Sequence, residues 1–445
     1  MSLTAKKILI VALSLLFAIS LIFVQYKEVT KPRVEAKPEV VLSAEAKECY
    51  QCHKETTPAL VAQWETSAHA SSADCLTCHD PALHQKTIIS DRCESKRPGG
   101  VSTIVSPAAC QKCHPQEVEQ FNHSKHATTL HFTVNILKDG WTVKGANSPP
   151  ERATGCYLCH GSIIKDELTW ENWPNHGIGR VNPDGTMGTC TSCHSEHKFS
   201  LAMARNPSTC GRCHMGPDHP QIEIWEESVH GKLWLAGEKE HAPTCVTCHM
   251  AEVKDSVGNV IVEKTHNIGT RLYWEIQSPL STPFKDHINW KPNEELAEQY
   301  RENMKKACLQ CHTERHVDNH FARYDEQVKD YNENYFKPAK EMLDELKEKG
   351  LLSSEPFDDD FEWEYWLLWH HEGRRMRMGA AMMGPDYAWW HGAHDTKLKF
   401  LELENEYKRL IELGKPDSHE YVPGAVYEAG PNLVPGEDVP DLQQQ

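Results

Sequence analysis

Positive charge is scarce in this 445-residue chain: 47 lysines and arginines face 64 aspartates and glutamates, a formal net charge of −17 with histidine neutral. Nucleic-acid binding, which needs a basic face, is excluded by that balance, and a basic protein partner is favoured. Cysteine outside one recurring pattern is almost absent, since of 17 cysteines only Cys93 stands alone. That leaves no room for an independent disulfide framework, and Cys93 reads as a free thiol in a loop. The tail from Lys415, which is acidic and contains several prolines, has no apolar span and trails into solvent.

What the chain does have is one motif eight times over. The copies are Cys49-Cys52-His53, Cys75-Cys78-His79, Cys110-Cys113-His114, Cys156-Cys159-His160, Cys190-Cys193-His194, Cys210-Cys213-His214, Cys245-Cys248-His249 and Cys308-Cys311-His312. In Cys-x-x-Cys-His the two thiols add to the vinyl groups of a haem as thioethers, and the following histidine becomes the proximal iron ligand. A zinc ribbon also uses paired Cys-x-x-Cys, but it does not need a histidine after every second cysteine. The cofactor expected is therefore eight covalently bound c-type haems.

Lys6 and Lys7 precede an apolar run from Ile8 to Val24, the layout of an export signal, and no clean Ala-x-Ala site follows. An uncleaved N-terminal anchor or a cleaved signal peptide both fit, and both place the mature chain outside the cytoplasm, in a periplasmic compartment. Residues 25–46 form a polar tether. Residues 47–320 carry the motifs among Gly, Pro, Ser and Thr, whereas residues 321–415 show helical periodicity. There Tyr324, Val328, Tyr331 and Tyr335 share one face, as do Phe400, Leu403, Tyr407 and Leu410. The expected fold is mainly α: a multihaem cytochrome c domain of short helices and long loops, then a long-helix C-terminal bundle and a flexible tail over 416–445.

Of 27 histidines, eight are used as proximal ligands, leaving 19 as sixth ligands or otherwise. A short repeat singles out three. Trp64-Glu-Thr-Ser-Ala-His69-Ala, Phe121-Asn-His-Ser-Lys-His126-Ala and Trp225-Glu-Glu-Ser-Val-His230-Gly all read aromatic-x-x-Ser-x-His-small. His69, His126 and His230 are thus distal-ligand candidates, against the plain alternative of surface histidines.

The order and spacing of the motifs, with the run from "NWPNHGIGR" through "TCGRCHMGPDHP" to "APTCVTCHM" and on to "VDNHFARYDE" and "MMGPDYAWWHG", resembles the octahaem hydroxylamine oxidoreductase family. The resemblance implies a homotrimer in which seven haems have two axial histidines and the fourth, on Cys156, Cys159 and His160, is open for substrate. It implies His84, His176, His197 and His266 as further distal ligands beside His69, His126 and His230; His123, His131, His316, His320 and His391 are the substitutes. It implies Asp218 and His219 as the catalytic acid–base pair, one group with a carboxylate pKa and one that titrates near neutrality. Their alternative is a turn aspartate and a haem-ligating histidine.

Tyr387 is the candidate for the tyrosine that, in oxidising members of that family, is joined to a neighbouring subunit's catalytic porphyrin. It reads equally as a packed tyrosine beside Trp389 and Trp390. Three function classes follow: oxidation of hydroxylamine or a related small nitrogen compound, reduction of nitrite or hydroxylamine to ammonia, or electron conduction with no open iron. Oxidation is the reading preferred from the sequence, with a partner cytochrome or a quinone-linked membrane protein taking the electrons.

Overall fold

The computed structural model describes Ser2, Thr4, Ala5, Ser20 and residues 38–80, 100–130, 150, 152–165, 168–217, 219–272, 294–354 and 358–417. His84, Cys93, His131 and Asp218 lie outside the described residues, as do most of the apolar N-terminal run and the tail. Among the described residues, no helix is long and apolar enough to cross a membrane.

The protein is mainly α. Up to His312 most helices are one or two turns long, and the longer Ala44–Thr56 and Glu294–Cys308 carry residues of the first and eighth motifs. The chemistry of the motif needs only one turn. The histidine N–H closes on the first cysteine carbonyl, as in His114 N to Cys110 O at 2.9 Å and His214 N, His194 N and His312 N to their first cysteines at 3.0 Å. That i to i+4 closure fixes both sulfurs and the imidazole in one relation. Local signals start these turns. Asp74 caps Leu76 and Thr77 ahead of Cys75–His79 in a capping box, Thr244 and Thr247 form another ahead of Cys245–His249, and Pro107 and Pro207 open the turns that hold Cys110 and Cys210. The strands, Val253–Lys254 and Val260–Val262, make one antiparallel hairpin.

The aromatic-x-x-Ser-x-His-small repeat is a helix break. Trp64, Phe121 and Trp225 are buried, as are Ser67, Ser124 and Ser228 and the small residues Ala70, Ala127 and Gly231. Ser67 and Ser228 donate their hydroxyls to the carbonyls of Trp64 and Trp225, at 2.8 and 2.7 Å. The two indoles donate to Ala73 O and Pro243 O, both at 3.0 Å, each two residues before the next motif's first cysteine. So the repeat turns its histidine out of the helix and also sets the entry to the following motif. A Cβ on Gly231 would meet Trp225 O at 2.1 Å, which is why the small residue is required there.

After the eighth motif the helices carry no motif and pack on one another, beginning with Glu314–Tyr331, which runs across the expected boundary at residue 320. Lys337–Glu348, Asp360–Leu367, Gly373–Met382 and Asp395–Leu413 follow. Three wide π turns, Asn332–Phe336, Leu368–Glu372 and Trp389–His394, link or extend them. Their core runs from Tyr331 to Leu410 and includes Phe336, Leu346, Phe361, Leu368, Met376 and Leu403. Both expected stripes reach it: Tyr331, Leu403 and Leu410 are fully buried, with Tyr335, Phe400 and Tyr407 packed at its edge. Arg377, itself buried, lies over the Tyr331 ring at 4.1 Å.

Candidate functional site

The motifs form an ordered train. The helix Ala44–Thr56 packs on Cys75–His79, which packs on Pro107–Gln111; Pro207–Gly211 packs on Cys245–His249, which packs on Glu294–Cys308. Sulfur contacts complete the train. The Cys110 sulfur lies beside that of Cys190, and the Cys210 sulfur beside that of Cys245. Cys193 lies near enough to Cys210 for that thiol to raise its pKa, after burial, to about 11. The spatial order is therefore motifs one, two, three, five, six, seven, eight. Motif four stands beside this line, with Cys159 next to Cys213 of motif six.

Across five motifs a second histidine faces the motif histidine. Ring centroids are 6.3 Å apart for His114 and His69, 6.1 Å for His79 and His197, 5.9 Å for His214 and His126, 6.4 Å for His194 and His266, and 6.0 Å for His312 and His230. Two imidazoles bonded through one nitrogen each to a shared metal at about 2 Å would have centroids roughly 6.3 Å apart. The residues thus fit a six-coordinate haem iron at each of the five. Burial supports the ligating form of the ring. It pushes His126 down to about 4, assisted by His214, and lowers His69, His194, His197, His230 and His266 as well. A neutral imidazole has the lone pair that a metal requires.

The structure does not bring every expected ligand to such a pair. His176 has its Nδ1 3.6 Å from the Glu196 carboxylate and 3.4 Å from Thr191 Oγ1. His123 is exposed and bonded to Glu119 O at 2.9 Å. His316, in the first turn of Glu314–Tyr331, stacks on His312 just ahead of that helix at 4.4 Å, and His320 meets the edge of Phe321. His391 is held by Asp386, Nδ1 to Oδ2 at 2.5 Å.

Motif four is built unlike the others. A π turn, Arg152–Cys156, leads into Tyr157–His160, and residues 175–181 lie directly along it. Ile178 N bonds to Cys159 O at 2.9 Å. Gly161, at φ +88°, and Gly177 permit this approach: a Cβ on either would meet the opposite backbone at 2.2 Å. Beside Cys159 of this motif lies Cys213 of motif six. The His219 ring is 6.5 Å from that of His214, and burial, then His219 and His160, hold His214 below the ordinary histidine range. Nδ1 of His219 donates to Met215 O at 3.2 Å, which fixes its tautomer and leaves Nε2 as the accepting nitrogen.

Tyr387 is half-buried against this neighbourhood within its own chain. Burial and the carboxylates of Glu223 and Glu227 push its phenol up, and the helix Gln221–Glu227 that carries them packs on Gly373–Met382 and Pro385–Ala388. One residue escaped the sequence reading. His370 is half-buried, stacked on Trp366 at 4.3 Å, and its pKa is lowered by burial, by Arg374 and His371, and more weakly by His219. The adjacent pair His370-His371 in an aromatic stretch was its signal.

The chain matches the family described as seven times multi-haem cytochrome CxxCH over residues 184–357, and cytochrome c554 and c-prime over residues 21–81. A probable nitrite reductase-hydroxylamine oxidoreductase fusion protein of Kuenenia stuttgartiensis is 24% identical over 336 residues, 64% of this chain and 36% of that protein. Cytochrome c-552 of Haemophilus influenzae is 22% identical over 377 residues, 79% of this chain and 54% of its own. The chain thus spans about a third to a half of the length of these curated relatives. Among solved structures, a hypothetical multiheme protein superposes with a TM-score of 0.68 at 24% identity, covering 85% of this chain and 96% of the other. A reducing HAO-like protein complex of Kuenenia stuttgartiensis gives 0.58 at 20% identity, with 85% and 88% covered.

Proposed function

We propose, from the premise that the chain is a multihaem cytochrome c of the hydroxylamine-oxidoreductase-like group with covalently bound haem c, that it oxidises hydroxylamine or a related small nitrogen compound at one open haem. The observation that carries this reading is the junction of motif four with the His219 segment. The His219 ring lies 6.5 Å from that of His214 of motif six, and Cys159 of motif four lies beside Cys213 of motif six. In this reading all eight motifs carry haem, and the open one is bound by Cys156, Cys159 and His160.

When bound, haem supplies one-electron chemistry at iron. The chain's own residues do the rest. His219, with Nδ1 anchored on Met215 O, presents Nε2 to take a proton from substrate. Asp218 is the second proton carrier. The five facing histidine pairs would each hold a haem iron from both sides, leaving no position there for substrate and keeping those haems to electron transfer. His84 and His176 are the proposed ligands of two further haems.

Tyr387, with its pKa raised by burial and acidic neighbours, stays protonated and packs the entrance from the C-terminal helices. In a homotrimer it would serve a neighbouring chain's haem. The acidic surface suits a basic cytochrome partner or a quinone-linked membrane protein, outside the cytoplasm and tethered through the N-terminal segment.

A reductive reading is favoured by the names of the similar proteins, one a probable nitrite reductase fusion and one a reducing complex. Assaying the haem-loaded protein with hydroxylamine plus an electron acceptor, and with nitrite plus a reductant, separates the two. Oxidation of hydroxylamine supports the proposal; ready nitrite reduction with no hydroxylamine oxidation sinks it. Asp218→Asn and His219→Ala should each lower turnover by roughly 100-fold while all haems stay attached.

A further inference from the structure

We propose that the turn leading into the helix Asp360–Leu367 binds a calcium ion through Asp358, Asp359 and Glu362. One oxygen of each lies within 4.8 Å of those of the other two. A calcium ion with metal–oxygen distances of about 2.4 Å spans up to roughly that separation between opposed ligands.

An acidic cluster at a helix start is ordinarily explained by capping, and here capping fails. Asp359 is the N-cap residue, with extended backbone at φ −104° and ψ 138°, but its side chain makes no capping hydrogen bond to the first turn. It is nevertheless only 1% exposed. Its Oδ2 accepts from Ser353 N at 3.0 Å, while Oδ1 is buried with no hydrogen-bond partner among the described residues. The charged groups around it, Asp358, Asp417 and Glu406, are all anions. Arg409 is engaged elsewhere, by Glu406 and by Asp417. A buried carboxylate oxygen with neither donor nor counter-charge is strongly unfavourable, and a cation supplies both.

The donor set selects the ion. Three carboxylates offer hard oxygen only, with no imidazole or thiolate, which disfavours zinc and copper. Asp358 is oriented by Ser353 Oγ at 2.8 Å, and Glu362 sits three residues into the helix, half-buried, on the N-cap side. With the remaining positions taken by water, an irregular set of three carboxylates suits calcium's flexible six to eight ligands better than magnesium's strict octahedron. The ion would fasten the turn after Lys337–Glu348, whose Leu351 and Leu352 enter the core, to the helix that contributes Phe361 and Tyr365. Its affinity should fall near the range of extracellular modules, on the order of 10⁻⁴ M.

The test is titration of the full, haem-loaded chain, stripped with EDTA, with calcium chloride alone, followed by calorimetry and by thermal unfolding of the C-terminal helices. The expected result is one calcium per chain and a rise in Tm of about 3 °C at tenfold over Kd. Asp359→Asn should abolish both. Without calcium it should melt above the wild type, because it removes a buried unpaired charge. Glu362→Gln should weaken binding about tenfold or more. Three results would overturn the assignment: no heat and no shift up to about 10 mM calcium, an unchanged titration in Asp359→Asn, or an equal response to magnesium at equal concentration.

Discussion

The two halves of the molecule build an interior from different materials. From Glu314 to Leu413 the buried side chains form one apolar cluster, with Tyr331, Phe361, Leu346, Leu403 and Leu410 at its centre. Between Ala44 and His312 the clustered apolar side chains are only Leu130, Tyr157 and Val181; the other buried ones, Trp64, Phe121, Ile224 and Trp225 among them, are dispersed between half-buried cysteines and the motif histidines. The C-terminal half holds itself by the burial of hydrocarbon, at roughly 1.5–3 kcal/mol per fully buried large side chain. The motif half holds ligands apart at iron-spanning distances, and without porphyrin between them little remains to pack. The lesson is that a chain can put local turn signals everywhere and leave the core to its cofactors.

That contrast can be broken most severely by denying the full chain its haem during synthesis. Amide exchange should then show protection lost over residues 44–312 and kept over 314–413; uniform protection, or uniform loss, would refute the division. Leu403→Ala should come next in size, lowering the stability of the helical half by about 2–5 kcal/mol with the haem absorption bands unchanged. Trp225→Phe removes the indole donor to Pro243 O and should cost about 1 kcal/mol, seen as faster exchange around Cys245–His249 and not in the helical half. The smallest effect is expected for Asp325→Asn. Its bridge to Arg301, at 2.7 Å, joins Glu294–Cys308 to Glu314–Tyr331, but the aspartate is 47% exposed, so about 0.5 kcal/mol is the scale in a urea titration.

Much of the motif half was legible in the sequence because its signals are one turn long. Cys-x-x-Cys-His and the Ser-x-His repeat each specify a local closure, and the structure shows those closures with Ser67 and Ser228 on the carbonyls three residues back. Which histidine faces which was not legible. His69 meets His114 rather than the nearer His79, because pairing depends on the path of the chain between them. The stripes of Tyr331 and Leu403 foretold the bundle, since a 3.6-residue period is intrinsic to a helix. The start at Glu314, the π turns and the failed cap at Asp359 carry no such period, and only packing reveals them.

The central claim of the account is that one iron, on Cys156, Cys159 and His160, is open beside His219 while the others are closed. Electron paramagnetic resonance and magnetic circular dichroism of the oxidised, haem-loaded protein, before and after cyanide, count the closed and open centres directly. The account predicts seven low-spin centres and one high-spin centre that alone binds cyanide among the eight motif haems, with the same count in His219→Ala. Eight low-spin centres, none answering to cyanide or nitric oxide, would contradict it and leave an electron conduit.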